Sequence, residues 1–149
     1  MAPSNTVLIT DDDEYVRRGV ARLLRHHGYH VLCAGSGVEA LELVAAAPPA
    51  LVLLDVMMPG MDGFEVARRL RALHGDACPT IAIMSAGPFG DIDKQGVGAV
   101  AFLRKPFTSD KLLALVAASI PLSLTTARGY NAAPCVGTAG RDVETEPPN

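Results

Sequence analysis

Five short apolar runs, each ending at a polar residue or a turn, constrain this chain more than any other feature. They are TVLIT (Thr6 to Thr10), YHVLCA (Tyr29 to Ala34), LVLLD (Leu51 to Asp55), TIAIMS (Thr80 to Ser85) and AVAFL (Ala99 to Leu103). Runs so short and so evenly apolar suit strands covered on both faces, as in a parallel sheet, rather than half-exposed antiparallel strands.

Between the runs lie stretches of helical period. Val16, Val20, Leu23 and Leu24 repeat at helical spacing up to Gly28, a C-terminal stop signal. Ser36 with Glu39 forms a capping box that opens a helix through about Ala46, and Pro48 and Pro49 end it. Asp62 with Glu65 forms a second box, and the helix FEVARRLRAL is expected to bury Phe64, Ala67 and Leu70. A last helix is expected from about Ser109 to Ser119. The segment Gly87 to Gly98 has four glycines and a proline, so a fourth helix there should be short or irregular. With helical, right-handed crossovers, five such strands predict an α/β fold with a doubly wound five-stranded parallel sheet.

The 149 residues fit one domain, predicted over 1–120. From Pro121 the pattern loses periodicity and gains Pro, Gly and Thr, so 121–149 is expected to be a disordered tail. Net charge is −3 with no Lys/Arg-rich block, which argues against direct nucleic-acid binding. Cys33, Cys78 and Cys135 match neither a zinc site nor a disulfide framework and point to a reducing compartment. No basic segment precedes an apolar one, and every apolar run is interrupted before membrane-spanning length, so a cytoplasmic protein away from membranes is expected.

In parallel α/β sheets, ligands bind beyond the C-terminal ends of the strands. Asp11 and Asp12 close the first run, Asp55 the third and Ser85 the fourth, while Lys105 follows the fifth. Three carboxylates in one crevice repel one another unless a cation compensates them. An all-oxygen set suits Mg²⁺, whereas Zn²⁺ would want His or Cys. A carboxylate can attack phosphorus, and Asp55 is the best placed to do so. Lys105 and Ser85 would then neutralise and hydrogen-bond the transferred group. Asp13 and Glu14 are read as helix-capping acids, Arg18, Arg22 and Arg25 as a solvated stripe, and His26, His27, His30 and His74 receive no chemistry.

Four motifs, TDDDE at Asp11 and Asp12, LLDVMMPGMDG around Asp55, MSA at Ser85 and FLRKPF at Lys105, together resemble the response-regulator receiver family over residues 6–119. The resemblance implies a flavodoxin-like (βα)5 fold with Asp55 as phosphoacceptor. Mg²⁺ would be held by Asp12, Asp55 and the backbone carbonyl of Met57, with Asp11 acting largely through water. Ser85 would bond the phosphoryl group, and Lys105 would pair with it beside a cis bond to Pro106. Phe102 would be the aromatic switch residue. A sensor histidine kinase or histidine phosphotransfer protein would donate the group, and a downstream protein, or a second copy of the chain, would read the altered surface. Two other readings stand beside this one. A phosphatase of the haloacid-dehalogenase type wants D-x-D-x-[TV], but Asp11-x-Asp13 is followed by Glu14 and Tyr15. The other is the receiver part of a truncated DNA-binding regulator.

Overall fold

The structure, a computed structural model, describes residues 5–86 and 101–120. The strands are β1 (Thr6–Thr10), β2 (His30–Ala34), β3 (Leu51–Asp55), β4 (Thr80–Ser85) and β5 (Ala101–Arg104). The described helices, labelled in chain order, are α1 (Glu14–His26), α2 (Gly37–Ala46), α3 (Gly63–His74) and α4 (Ser109–Ser119), with a short 3₁₀ turn over Gly75–Ala77. Every strand pairing is parallel, in the order β2-β1-β3-β4-β5. This is the doubly wound α/β sheet expected from the alternating pattern. The strand order reverses between β1 and β3, and a crevice opens at that switch point. The irregular helix expected over Gly87 to Gly98 and the tail 121–149 lie outside the described residues.

Burial on both faces explains the uniform apolar runs. Val7 and Ile9 of β1 join Leu53, Met84, Val20 and Leu24 of α1, and Leu112 and Val116 of α4 in one layer. Leu8, between them in sequence, joins Val52, Leu54, Ile81 and Ile83, together with Val44 of α2 and Val66 and Leu70 of α3, in the other. Successive strand residues thus serve opposite layers. Each fully covered Leu, Ile or Val contributes roughly 1.5–3 kcal/mol.

The caps set where the helices begin. Asp13 receives the amides of Tyr15 at 2.9 Å and Val16 at 3.4 Å, the capping role expected of it. Ser36 accepts from the Glu39 amide at 3.2 Å, and the Glu39 carboxylate reaches back to the Gly35 amide at 2.9 Å. Asp62 accepts from the Glu65 amide at 2.9 Å, but the Glu65 carboxylate binds Arg68 at 3.0 Å and Arg69 at 2.8 Å instead of closing the box. The guanidinium groups one turn ahead outcompete an amide for that carboxylate. On α3 the buried face is Gly63, Val66, Ala67 and Leu70, while Phe64 is only partly covered. Ala67 and Leu70 are buried as expected, Phe64 packs partly covered against the same cluster, and Val66 joins the buried face beside them. Gly28 follows α1 with φ +92°, the backbone that makes it a stop. Among the described residues, no helix is long and apolar enough to cross a membrane.

Candidate functional site

Asp11 is fully buried one residue beyond β1 and is held on every side. Its amide donates to the Ala34 carbonyl at 3.1 Å, which ties it to the end of β2. Its Oδ1 accepts from the Asp13 amide at 3.0 Å, and its Oδ2 accepts from Lys105 Nζ at 2.8 Å. Its own carbonyl accepts from Arg17 Nη1 at 2.9 Å. Asp12, next in sequence, is exposed, and Asp55 is buried at the end of β3. Lys105 Nζ also lies 3.1 Å from Asp55 Oδ1, so one ammonium bridges the first and third strands.

Carboxylate oxygens of Asp11, Asp12 and Asp55 all lie within 4.8 Å of one another. Three carboxylates face one lysine, an excess of two negative charges. The consequence appears at Asp55. Burial, then the charge of Asp11, pushes its pKa up to about 6, against the pull of Lys105, with Asp12 adding a smaller upward push. At Lys105, burial alone would lower the pKa, but hydrogen bonds and charge from Asp11 and then Asp55 outweigh it, and the net shift is upward. The ammonium therefore stays charged, and Asp55 is mostly ionised at neutral pH. A compensating divalent cation fits this geometry. The donors are all hard oxygens with no His or Cys among them, the set that Mg²⁺ prefers.

The remaining expected residues fall around the same rim. Ser85 is buried at the end of β4, and its carbonyl accepts from the Lys105 amide at 2.9 Å, which fixes the start of the lysine loop beside β4. The Lys105–Pro106 peptide is cis, as expected, and Pro106 is exposed. Met57 lies in the loop after β3 with its side chain exposed. Phe102 is half-buried, pairs in register with Ile83, and packs with it in the α2–α3 layer. Ser85, two residues beyond Ile83, falls on that face too by strand alternation. The structure thus brings Asp11, Asp12, Asp55, Ser85 and Lys105 to one end of the sheet. Among the described residues, no histidine belongs to the acidic cluster.

Sequence reasoning missed two residues here. Arg17 is buried although charged, and it grips Asp11 from behind. Its signal was its spacing: it falls in the apolar stripe with Val20, Ala21 and Leu24. Gly63 opens α3 so close to β3 that a Cβ there would run into the carbonyl oxygen of Asp55. The Met-Asp-Gly run after the Pro/Gly loop was the signal for it. An open groove of about 870 Å³ runs between α1 and α4, lined by Tyr15, Val16, Leu23 and Phe107, with Lys105 at its rim.

Comparison with known proteins agrees with this geometry. The family model described as "Response regulator receiver domain" matches residues 7–117. The curated response regulator MprA of Mycobacterium ulcerans is 37% identical over 142 residues, 95% of this chain and 60% of its own length. MprA of Mycobacterium leprae is 42% identical over 113 residues, 75% of this chain and 49% of its own length. The chain therefore spans about half the length of the curated relatives it matches. Among solved structures, chemotaxis protein CheY4 of Vibrio cholerae superposes with a TM-score of 0.73 at 30% identity, covering 78% of this chain and 99% of that one. Response regulator TrrA of Thermotoga maritima, solved in complex with Mg²⁺ and BeF, gives 0.70 at 30% identity, covering 77% and 98%. With five parallel strands, a matching acidic cluster and a family match over most of its length, this chain belongs to the response regulator receiver domain family.

Proposed function

We propose that the chain is a phosphorylation switch in which Asp55 accepts a phosphoryl group from a phosphohistidine on a sensor kinase or phosphotransfer protein. The observation that carries this reading is the Lys105 ammonium bridging Asp11 and Asp55 beside the acidic cluster. Asp11, Asp12 and Asp55, with the Met57 carbonyl, would hold Mg²⁺, which neutralises charge on the phosphoryl oxygens when bound. The Asp55 carboxylate attacks phosphorus and the donor imidazole leaves, so one P–N bond breaks as one P–O bond forms. Lys105 then exchanges part of its contact with Asp55 for the new dianion, and Ser85 donates its hydroxyl to it.

The switch follows from where those residues stand. Pulling Ser85 toward the phosphoryl group frees space on the face it shares with Phe102, and the aromatic ring moves into it. A protein target, or a second copy of the chain, reads the altered surface around β5 and α4. The groove between α1 and α4 offers the donor an approach to the same rim. This role belongs to residues up to about 120, acts in the cytoplasm and needs no contact with nucleic acid or membrane. It is a stoichiometric switch rather than a multiple-turnover enzyme.

The test is direct. The chain is incubated with acetyl phosphate, with and without Mg²⁺, and its intact mass is measured. A single phosphoryl adduct that requires Mg²⁺ and disappears in Asp55→Ala is expected. Steady release of phosphate from unrelated phosphomonoesters, without an adduct, would replace the switch with a phosphatase.

A further inference from the structure

The groove between α1 and α4 holds about 870 Å³, within the size range of sites that take small molecules. One wall is a single face of α1, where Tyr15, Val16, Gly19 and Leu23 recur at three- and four-residue spacing. Phe107 and Leu112 form the other wall. Tyr15 is 83% exposed, so among the described residues its ring has no cover. Gly19 lies midway along the α1 wall, and a Cβ added there would meet no heavy atom within 4 Å. The centre of the groove is therefore open space.

The groove ends at the phosphorylation rim. Ala86 and Lys105 line it there. Ala86 directly follows Ser85, the last residue of β4, and Lys105 Nζ stands 3.1 Å from Asp55 Oδ1. An occupant that uses the whole feature needs an anionic head for the lysine end and an apolar body for the walls. We propose that the groove is an acyl subsite for a second class of donor, acyl phosphates with an aliphatic chain of medium length. The phosphoryl end meets Asp55 while the chain lies between α1 and α4. This rests on Asp55 being the phosphoacceptor. From Tyr15 to Leu23 the α1 wall measures about 12 Å at 1.5 Å per residue, far more than an acetyl group can touch.

The transfer is balanced without a further reactant. The Asp55 carboxylate attacks phosphorus, the P–O bond to the acyl oxygen breaks, and the acyl group leaves as a carboxylate with the electron pair of that bond. Contacts between chain and groove are the same before and during transfer. They strengthen capture of the donor and leave the chemical step alone.

The full chain is incubated with Mg²⁺ and acetyl, butyryl or hexanoyl phosphate, and adduct formation is followed by intact mass over a range of donor concentrations. With the chain half-covered in an open groove, each methylene is expected to lower the half-saturating concentration about twofold, roughly tenfold from acetyl to hexanoyl. The maximal rate should stay constant along the series. Gly19→Leu puts a side chain into the open centre and should bring the longer donors back to the acetyl value. Calorimetric titration with alkylphosphonates of the same lengths, which cannot transfer phosphorus, gives the second readout, with affinity rising along the series in wild type and flat in Gly19→Leu. Equal half-saturation by all three donors, or a length dependence that survives Gly19→Leu, would overturn the subsite while leaving Asp55 as phosphoacceptor. Failure of every donor to form an adduct would overturn both.

Discussion

Lys105 Nζ lies closer to Asp11, at 2.8 Å, than to Asp55, at 3.1 Å, although Asp11 is 94 residues away in sequence. The lysine is thus anchored on a residue that is not the proposed nucleophile, and it can give up its Asp55 contact without losing its place. Replacing it by methionine leaves two buried carboxylates without their counter-charge. Lys105→Met is expected to lower stability by roughly 2–4 kcal/mol and to slow phosphorylation by acetyl phosphate at least tenfold. Urea denaturation and intact-mass time courses measure the two effects. A variant that phosphorylates at the wild-type rate would contradict the role of the bridge.

Asp55 is a source of instability in the metal-free protein. Its folded pKa of about 6 exceeds the ordinary value of 3.8, so the folded state binds that proton more tightly than the unfolded chain. Between those values the folded state carries more protons, and stability falls as pH rises from about 4 to 6, then levels off. Asp55→Asn removes this penalty. Without Mg²⁺ the variant is expected to exceed wild type by roughly 2–3 kcal/mol at pH 7, at about 1.4 kcal/mol per pKa unit, and to match it near pH 3.5. Mg²⁺ should narrow the gap at pH 7 by stabilising wild type. Denaturation across this pH range, with and without Mg²⁺, reads the outcome.

Arg17 acts through Asp11. Its bond to the Asp11 carbonyl is buried, and deleting the donor leaves that oxygen short of a partner. Arg17→Ala is expected to cost roughly 1–3 kcal/mol and to weaken Mg²⁺ affinity, read by calorimetric titration, because Asp11 loses its backing. Arg17→Lys keeps the charge and should recover part of both losses. Unchanged Mg²⁺ binding in a folded Arg17→Ala protein would make the residue purely structural.

Gly63 is a steric requirement. A methyl group there meets the backbone of Asp55 and Val56, with no flexible side chain to yield. Gly63→Ala is expected to destabilise by roughly 3 kcal/mol and to reduce the phosphorylation rate by shifting Asp55. By contrast Gly19, with no heavy atom within 4 Å of its would-be Cβ, should accept alanine without loss. Thermal unfolding of the two variants side by side makes the comparison.

Much of this was legible because it is local. The bounds of β1, β3 and β4 and of α4 follow from runs of apolar residues bounded by turns and caps, which need no knowledge of what they pack against. The polar residues at strand ends were legible for the same reason, since a parallel sheet gathers its C-terminal ends. What escaped depends on partners distant in sequence. Arg17 looks like one more charge on a basic helix until Asp11 is placed behind it. Val66 is fully buried where α3 meets the core, although the expected face named only Phe64, Ala67 and Leu70. Glu65 satisfies the capping pattern on paper, yet two arginines one turn on take its carboxylate.

The central claim is that Asp55, and no other carboxylate of the cluster, carries the phosphoryl group. Locating the adduct tests it most directly. After reaction with acetyl phosphate and Mg²⁺, the acyl phosphate is reduced with borohydride, which converts a phosphorylated aspartate to homoserine, and the tryptic peptides 1–17 and 26–68 are sequenced by mass spectrometry. The account predicts homoserine at position 55 and at no other position. Homoserine at position 11 or 12, or an adduct that persists in Asp55→Ala, would contradict it.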